Sequence, residues 1–142
     1  MRRNDTTRCE PNLIIGMSTK ILLTVSSIAL LLAGIALTFL PDETARLLSP
    51  LVAPQLVITV QILGALLFAN GMINWLSKDQ VIGGIYGRPL VVGNTAHFVT
   101  GGLALLRHTT VYPTETMITL TVLYLLFAVS FARLLFVSPS NP

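Results

Sequence analysis

The sequence predicts an all-α protein: four transmembrane helices in an antiparallel, up-down-up-down bundle. Three observations carry this. Hydrophobic residues make up 53% of the 142 residues and charged residues only 11%, whereas water-soluble domains carry roughly 25% charged residues. With a mean hydropathy of +0.77, the chain lacks the polar surface to enclose its own apolar mass. Four apolar runs each approach the ~20 residues needed to cross a hydrocarbon core. They are continuous rather than alternating, unlike the strands of a membrane barrel. The links between them are short, which makes successive helices antiparallel neighbours.

Residues 1–20 form a basic leader with Arg2, Arg3, Arg8 and Lys20. A secretory signal would have an apolar core of about 7–15 residues. The run at 21–40 is longer, so it reads as a retained first helix, with Ser18 or Thr19 as its cap. In the first connection, Asp42 and Arg46 stand four apart in D-E-T-A-R-L-L, a spacing suited to a short helix at the membrane interface. Ser49-Pro50 ends it, and Pro54 opens the next helix. The second span covers about 55–76. A Gly-rich turn follows, and Pro89 opens a third span to about 106. The fourth covers 115–137, ahead of a proline-broken tail, S-P-S-N-P. The whole chain thus reads as a single integral membrane domain.

Lysine and arginine counts set orientation. Arg2, Arg3, Arg8, Lys20, Lys78, Arg88 and Arg133 fall on one side, against Arg46 and Arg107 on the other. Both termini and the 77–88 connection are therefore expected in the cytoplasm. The net charge of +3 is spread over several membrane flanks and does not indicate a nucleic-acid partner.

Helices in lipid approach through small residues. Gly64 and Gly71 supply them on the second span, and Ala29 and Ala33 on the first. Gly93, Ala96, Thr100 and Ala104, with Gly101 and Gly102, do so on the third, and Ala128 and Ala132 on the fourth. The polar residues are more informative. Asn70 and Asn74 share one face of the second helix, and Asn94, His97, Gly101 and Ala104 form a stripe on the third. At about 1.5 Å rise per residue, Ser26, Ser27, Asn70 and Asn94 come to similar depth, with His97 and Tyr124 nearer mid-membrane. These residues are expected to form one polar cluster in the cytoplasmic half of the bundle. Either they hydrogen-bond across helices, at on the order of 0.6 kcal/mol per pair, or they line a pocket in which His97 titrates. The structural reading carries somewhat more weight.

In the turn I-G-G-I-Y-G-R-P, Gly83 and Gly84 suggest a phosphate loop, but the spacing fits neither the Walker nor the dinucleotide pattern and no strand precedes it. A tight turn between packed helices explains the glycines more simply. Tyr86 and Arg88 would lie at the cytoplasmic surface, where Arg88 attracts lipid phosphate. Trp75 and Tyr112 read as interface anchors. His97 and His108 lie about 16 Å apart along one helix, too far to share a haem within the chain. Cys9 is the sole cysteine, so neither an intrachain disulfide nor a cysteine metal site is expected. The spans hold no paired carboxylates and no H-E-x-x-H. No catalytic residue, metal or cofactor is assigned, and the chain reads more as a non-enzyme than an enzyme.

N-W-L-S-K, followed by I-G-G-I-Y-G-R-P-L-V-V-G-N-T-A-H-F, resembles a block found in small uncharacterised bacterial four-helix integral membrane proteins. The architecture is more distantly similar to DoxX-like proteins, a group associated loosely with redox homeostasis. The first resemblance covers about half the chain and the second only helix number and size. It implies a bacterial plasma (inner) membrane, and that Asn74, Trp75, Gly83, Gly84, Tyr86, Arg88, Pro89, Asn94 and His97 act together. The expected function is an accessory or interaction subunit that presents the hairpin of the second and third helices to a membrane protein partner, a second copy or a lipid headgroup. The alternative is a carrier or redox-associated protein with a cytoplasm-facing pocket around His97.

Overall fold

A computed structural model describes residues 9–48, 52–79 and 87–137, with side chains over 18–47, 52–79 and 87–136. Among the described residues there are five α-helices and no strand: α1 Cys9–Phe39, α2 Pro41–Leu48, α3 Pro54–Ser77, α4 Gly87–Val111 and α5 Glu115–Val137. Four stretches, Ser18–Phe39, Pro54–Ser77, Gly87–Val111 and Glu115–Phe136, are long and apolar enough to cross a membrane. The chain is an all-α integral membrane protein.

Two boundaries differ from the sequence expectation. Helix α1 starts at Cys9 rather than near residue 21, so much of the basic leader is continuous with the first span. Pro11 lies in the first turn of that helix, where a missing N–H does no harm. Helix α4 continues past Leu106 to Val111. No proline interrupts it before Pro113, and Thr109 and Thr110 return their hydroxyls to the carbonyls of Leu105 and Arg107 at 2.8 Å.

The residues divide into two compact units, Met1–Asp79 and Gln80–Pro142. In the first, α1 packs along α3, and the short α2 packs against both. The seam is backbone against backbone. A Cβ added to Gly34 would lie 2.6 Å from the Phe68 amide nitrogen, one on Gly64 2.7 Å from that of Thr38, and one on Gly71 3.0 Å from that of Leu31. As the α1 partner advances from Gly34 to Thr38, the α3 partner retreats from Phe68 to Gly64, so the two helices run antiparallel. The buried line of α3 is Val60, Gly64, Leu67, Gly71 and Asn74. Its alternating steps of four and three are the coiled-coil-like seam of a left-handed helix pair.

The second unit is a helical hairpin of α4 and α5. Its buried line, Gly87, Val91, Asn94, Phe98 and Gly102, follows steps of four, three, four and four, and large rings fill it. Phe98 stacks on Phe131 at 5.5 Å between ring centroids and leans on Phe127 at 4.9 Å. Towards the α4–α5 turn, the Thr109 and Thr121 hydroxyls share a hydrogen bond of 2.8 Å. Both also bond their own helices, so neither hydroxyl is stranded in lipid.

The small-residue stripe expected on the third span is largely not the packing face. Gly93, Ala96, Thr100 and Ala104 are exposed, and a Cβ on Gly93 would meet nothing within 4 Å. Gly101 and Gly102 make the close contacts instead, to Tyr124 and Leu125.

Candidate functional site

Within the first unit, Ser26 and Asn74, two of the residues expected to cluster, meet. Ser26, Ser27 and Asn74 are each 0% exposed. The Asn74 side-chain amide donates to the Ser26 hydroxyl at 3.2 Å, and that hydroxyl donates to the Leu23 carbonyl at 3.1 Å. About two turns of helix separate this chain of bonds from the Gly34–Phe68 contact, so the same antiparallel seam that lets the backbones touch also sets the Asn74 amide against Ser26. Ser27, one residue on, is buried with no hydrogen-bond partner on its hydroxyl. Asn70 is half-buried on the flank of the α3 line.

The mouth of this unit is charged. Lys20, two residues into the first span, pairs with Asp79 just beyond the end of α3 at 2.6 Å. The hydrogen bond from Lys20 holds the Asp79 carboxyl below its ordinary value, with the Lys20 and Lys78 charges acting in the same direction against desolvation. Lys78 lays its ammonium over the Trp75 ring, 3.0 Å from the centroid, an ordinary cation–π geometry. Among the described residues at this end of the α1–α3 unit, Lys78 is a cation outside the ion pair, though its charge also acts on Asp79.

In the second unit, His97 and Tyr124 meet. Their ring centroids lie 5.8 Å apart, and the Phe98 and His97 rings are T-shaped with centroids 5.0 Å apart. Gly101, one turn along α4 from His97, makes this arrangement possible. A Cβ there would come within 2.8 Å of Tyr124 Cε1, so a glycine lets the phenol ring approach α4 this closely beside the imidazole. The Nε2 of His97 is buried with no hydrogen-bond partner. Asn94 is 1% exposed and donates back to the Leu90 carbonyl at 3.0 Å.

Of the hairpin residues, Arg88 is exposed in the first turn of α4, while Gly83, Gly84 and Tyr86 lie outside the described residues. Three features escaped the sequence reading. Gly34 was passed over for Ala29 and Ala33, although a glycine in a lipid-spanning helix is itself a signal of close approach. The aromatic set on Phe98 follows from its spacing with Phe127 and Phe131. The Lys20–Asp79 pair joins residues far apart in sequence, and no local pattern announces it. Among the described residues no group of three or more His, Cys, Asp or Glu side chains could hold a metal ion. No family model, curated protein or solved structure matches this chain.

Proposed function

We propose that the protein is a small accessory or interaction subunit of a bacterial plasma membrane. Its four spans run up and down, and its termini lie in the cytoplasm. It offers the connection between α3 and α4, with its flanking cations, to a membrane protein partner or a lipid headgroup. The observation that carries this reading is the state of Asn74. Its amide is wholly buried and bonded to Ser26, which supports a role for this intramembrane amide in holding helices rather than in receiving a solute. Half-buried Lys78 above Trp75 and exposed Arg88 at the start of α4 sit at the flanks of that connection. On the same proposal the chain would be one of the small bacterial four-helix membrane proteins, distantly similar to DoxX-like ones.

The test is to replace Lys78 and Arg88 together with glutamine, purify the full chain in native lipid particles, and compare what accompanies it. Loss of a co-purifying protein or of anionic lipid, at unchanged abundance, is the expected result. An unchanged set of companions would refute the reading.

A second reading has its own observation, the partnerless His97 Nε2 beside Tyr124. On this view the second unit belongs to a carrier or redox-associated protein, and His97 receives a ligand or proton. His97→Ala and Asn94→Leu separate the two. Normal abundance with failure to complement a deletion strain favours a site, and lost abundance favours packing.

A further inference from the structure

We infer that α2 is a lipid-surface anchor: it lies along the headgroup–acyl boundary and fixes the depth of the α1–α3 unit in the bilayer. Helix α2 has three faces rather than two. At about 100° per residue, Leu40 and Leu47 share one sector, Ala45 falls about 160° from Leu47, and Asp42 and Arg46 occupy a third sector. Ala45 is 0% exposed where α2 packs on its neighbours. Leu47 is 79% exposed and Leu40 53%. Asp42 and Arg46 are exposed as well, and Glu43 stands at the border of the polar and apolar sectors. One side on protein, one apolar and open, and one charged is the partition expected of a helix lying in the plane of a membrane surface.

What covers Leu40 and Leu47 follows from continuity with α1. The exposed face of α1 is the row Ile21, Val25, Ile28, Leu32, Ile35 and Phe39, in steps of four and three along a membrane-spanning helix. This row leads directly into Leu40, and Leu47 extends it around the corner. Leu40 makes that corner: its amide closes the last turn of α1 on Ala36, and its carbonyl accepts from Thr44 in α2. The surface that faces acyl chains along α1 therefore passes onto α2 without a break.

The position fits as well. From Lys20, at the charged mouth, to Phe39 the helix rises roughly 28 Å at 1.5 Å per residue, close to the ~30 Å of a hydrocarbon core. The Lys20–Asp79 pair with Trp75 and Lys78 marks one boundary, and α2 marks the other. Its charged residues are Asp42, Glu43 and Arg46, with no basic run, so a zwitterionic surface suffices and anionic lipid is not required.

The test uses the full chain with Cys9→Ser, carrying single cysteines by Leu47→Cys, Leu40→Cys or Arg46→Cys, each labelled with an environment-sensitive fluorophore in phosphatidylcholine nanodiscs. The probes at 47 and 40 are expected to be blue-shifted and quenched by a lipid nitroxide placed high on the acyl chain. The probe at 46 is expected to be reduced several-fold faster by an aqueous reagent. Equal aqueous reduction at 46 and 47 would overturn the proposal. So would a probe at 47 shielded from both reagents, because protein and not lipid would then cover that face. Position 40 decides the matter should the variant at 47 fail to fold.

Discussion

The backbone contact between α1 and α3 makes a prediction that two glycines resolve. In Gly34→Ala the new methyl would stand 2.6 Å from the Phe68 nitrogen and 2.8 Å from its Cα, where non-bonded atoms prefer about 3.5–4.0 Å. Both obstacles are backbone, so no rotamer change relieves them and the helices must part by roughly 1 Å. A radial gap of 0.5–1 Å forfeits about a quarter to a half of each neighbouring dispersion contact, and overpacking of this kind costs about 1–3 kcal/mol. Gly93→Ala is the control. Its methyl meets nothing within 4 Å, and replacing a helical glycine by alanine gains about 0.8–1.0 kcal/mol in propensity. Gly34 is helical as well, so that gain is common to both variants, and the two should differ by the overpacking cost alone, about 1–3 kcal/mol, with Gly34→Ala the less stable. Reversible unfolding in mixed micelles by titration with SDS, followed by far-ultraviolet circular dichroism, reads this difference directly. If Gly34→Ala unfolds within a few tenths of a kcal/mol of Gly93→Ala, the close seam is not what holds this unit together.

Three further outcomes follow from the same contacts. A double-mutant cycle of Ser26→Ala and Asn74→Ala, measured by the same titration, should give a coupling near 0.6 kcal/mol and no more than about 1.7, the range of interhelical hydrogen bonds in lipid; zero coupling would remove the bond. Gly101→Ala should cost less than Gly34→Ala, because the obstacle is the Tyr124 ring, which can swing away. The ring resonances of His97 and Tyr124 should shift with it, and unchanged resonances would contradict the placement of that ring. The Lys20–Asp79 pair should add an acid-sensitive step. The folded carboxyl lies below its ordinary value of 3.8, so the pair's contribution is complete above that pH and is lost as the pH falls through the lower folded value. Both partners are exposed, so the step is small; thermal unfolding against pH should show it in the parent chain and not in Asp79→Asn.

Much of the fold was legible because lipid imposes few solutions. Length, continuity and the proline-marked links locate α2, α3 and α5 closely. The start of α1 was not legible, because charge and polarity in Arg8–Lys20 look like a leader while nothing in them breaks a helix. The site divides in the same way. Asn74 announced itself by its cost in lipid, and it is buried and bonded. Its partner Ser26 could be chosen by depth, since helix rise is a fixed ruler. The face of α4 was harder to read. Gly93, Ala96, Thr100 and Ala104 offer small residues at helical spacing, but Phe98 and Gly102 on another face win the contact with α5 because a stacked ring buries far more surface than an alanine. Spacing alone ranks faces by smallness, whereas packing ranks them by what the opposite helix brings.

The two units are held by different means, and that difference bears on where function can reside. In the first, glycine backbones touch, and the amide of Asn74 is tied to Ser26. Such a seam has little freedom, because its closest contacts at Gly34, Gly64 and Gly71 include backbone atoms that no side-chain rotation can move. In the second, rings fill the space between the helices, and the Tyr124 ring rests on Gly101. A side-chain ring can change rotamer where a backbone contact cannot. A polar atom without a hydrogen-bond partner, the Nε2 of His97, belongs to the imidazole beside that ring. A response to a ligand, a proton or a partner is thus expected in α4 and α5, with α1 and α3 as the fixed reference. The pair of glycine substitutions and the Gly101→Ala variant test this division together. Loss of the first seam should unfold the protein, while displacement of Tyr124 should leave it folded and altered.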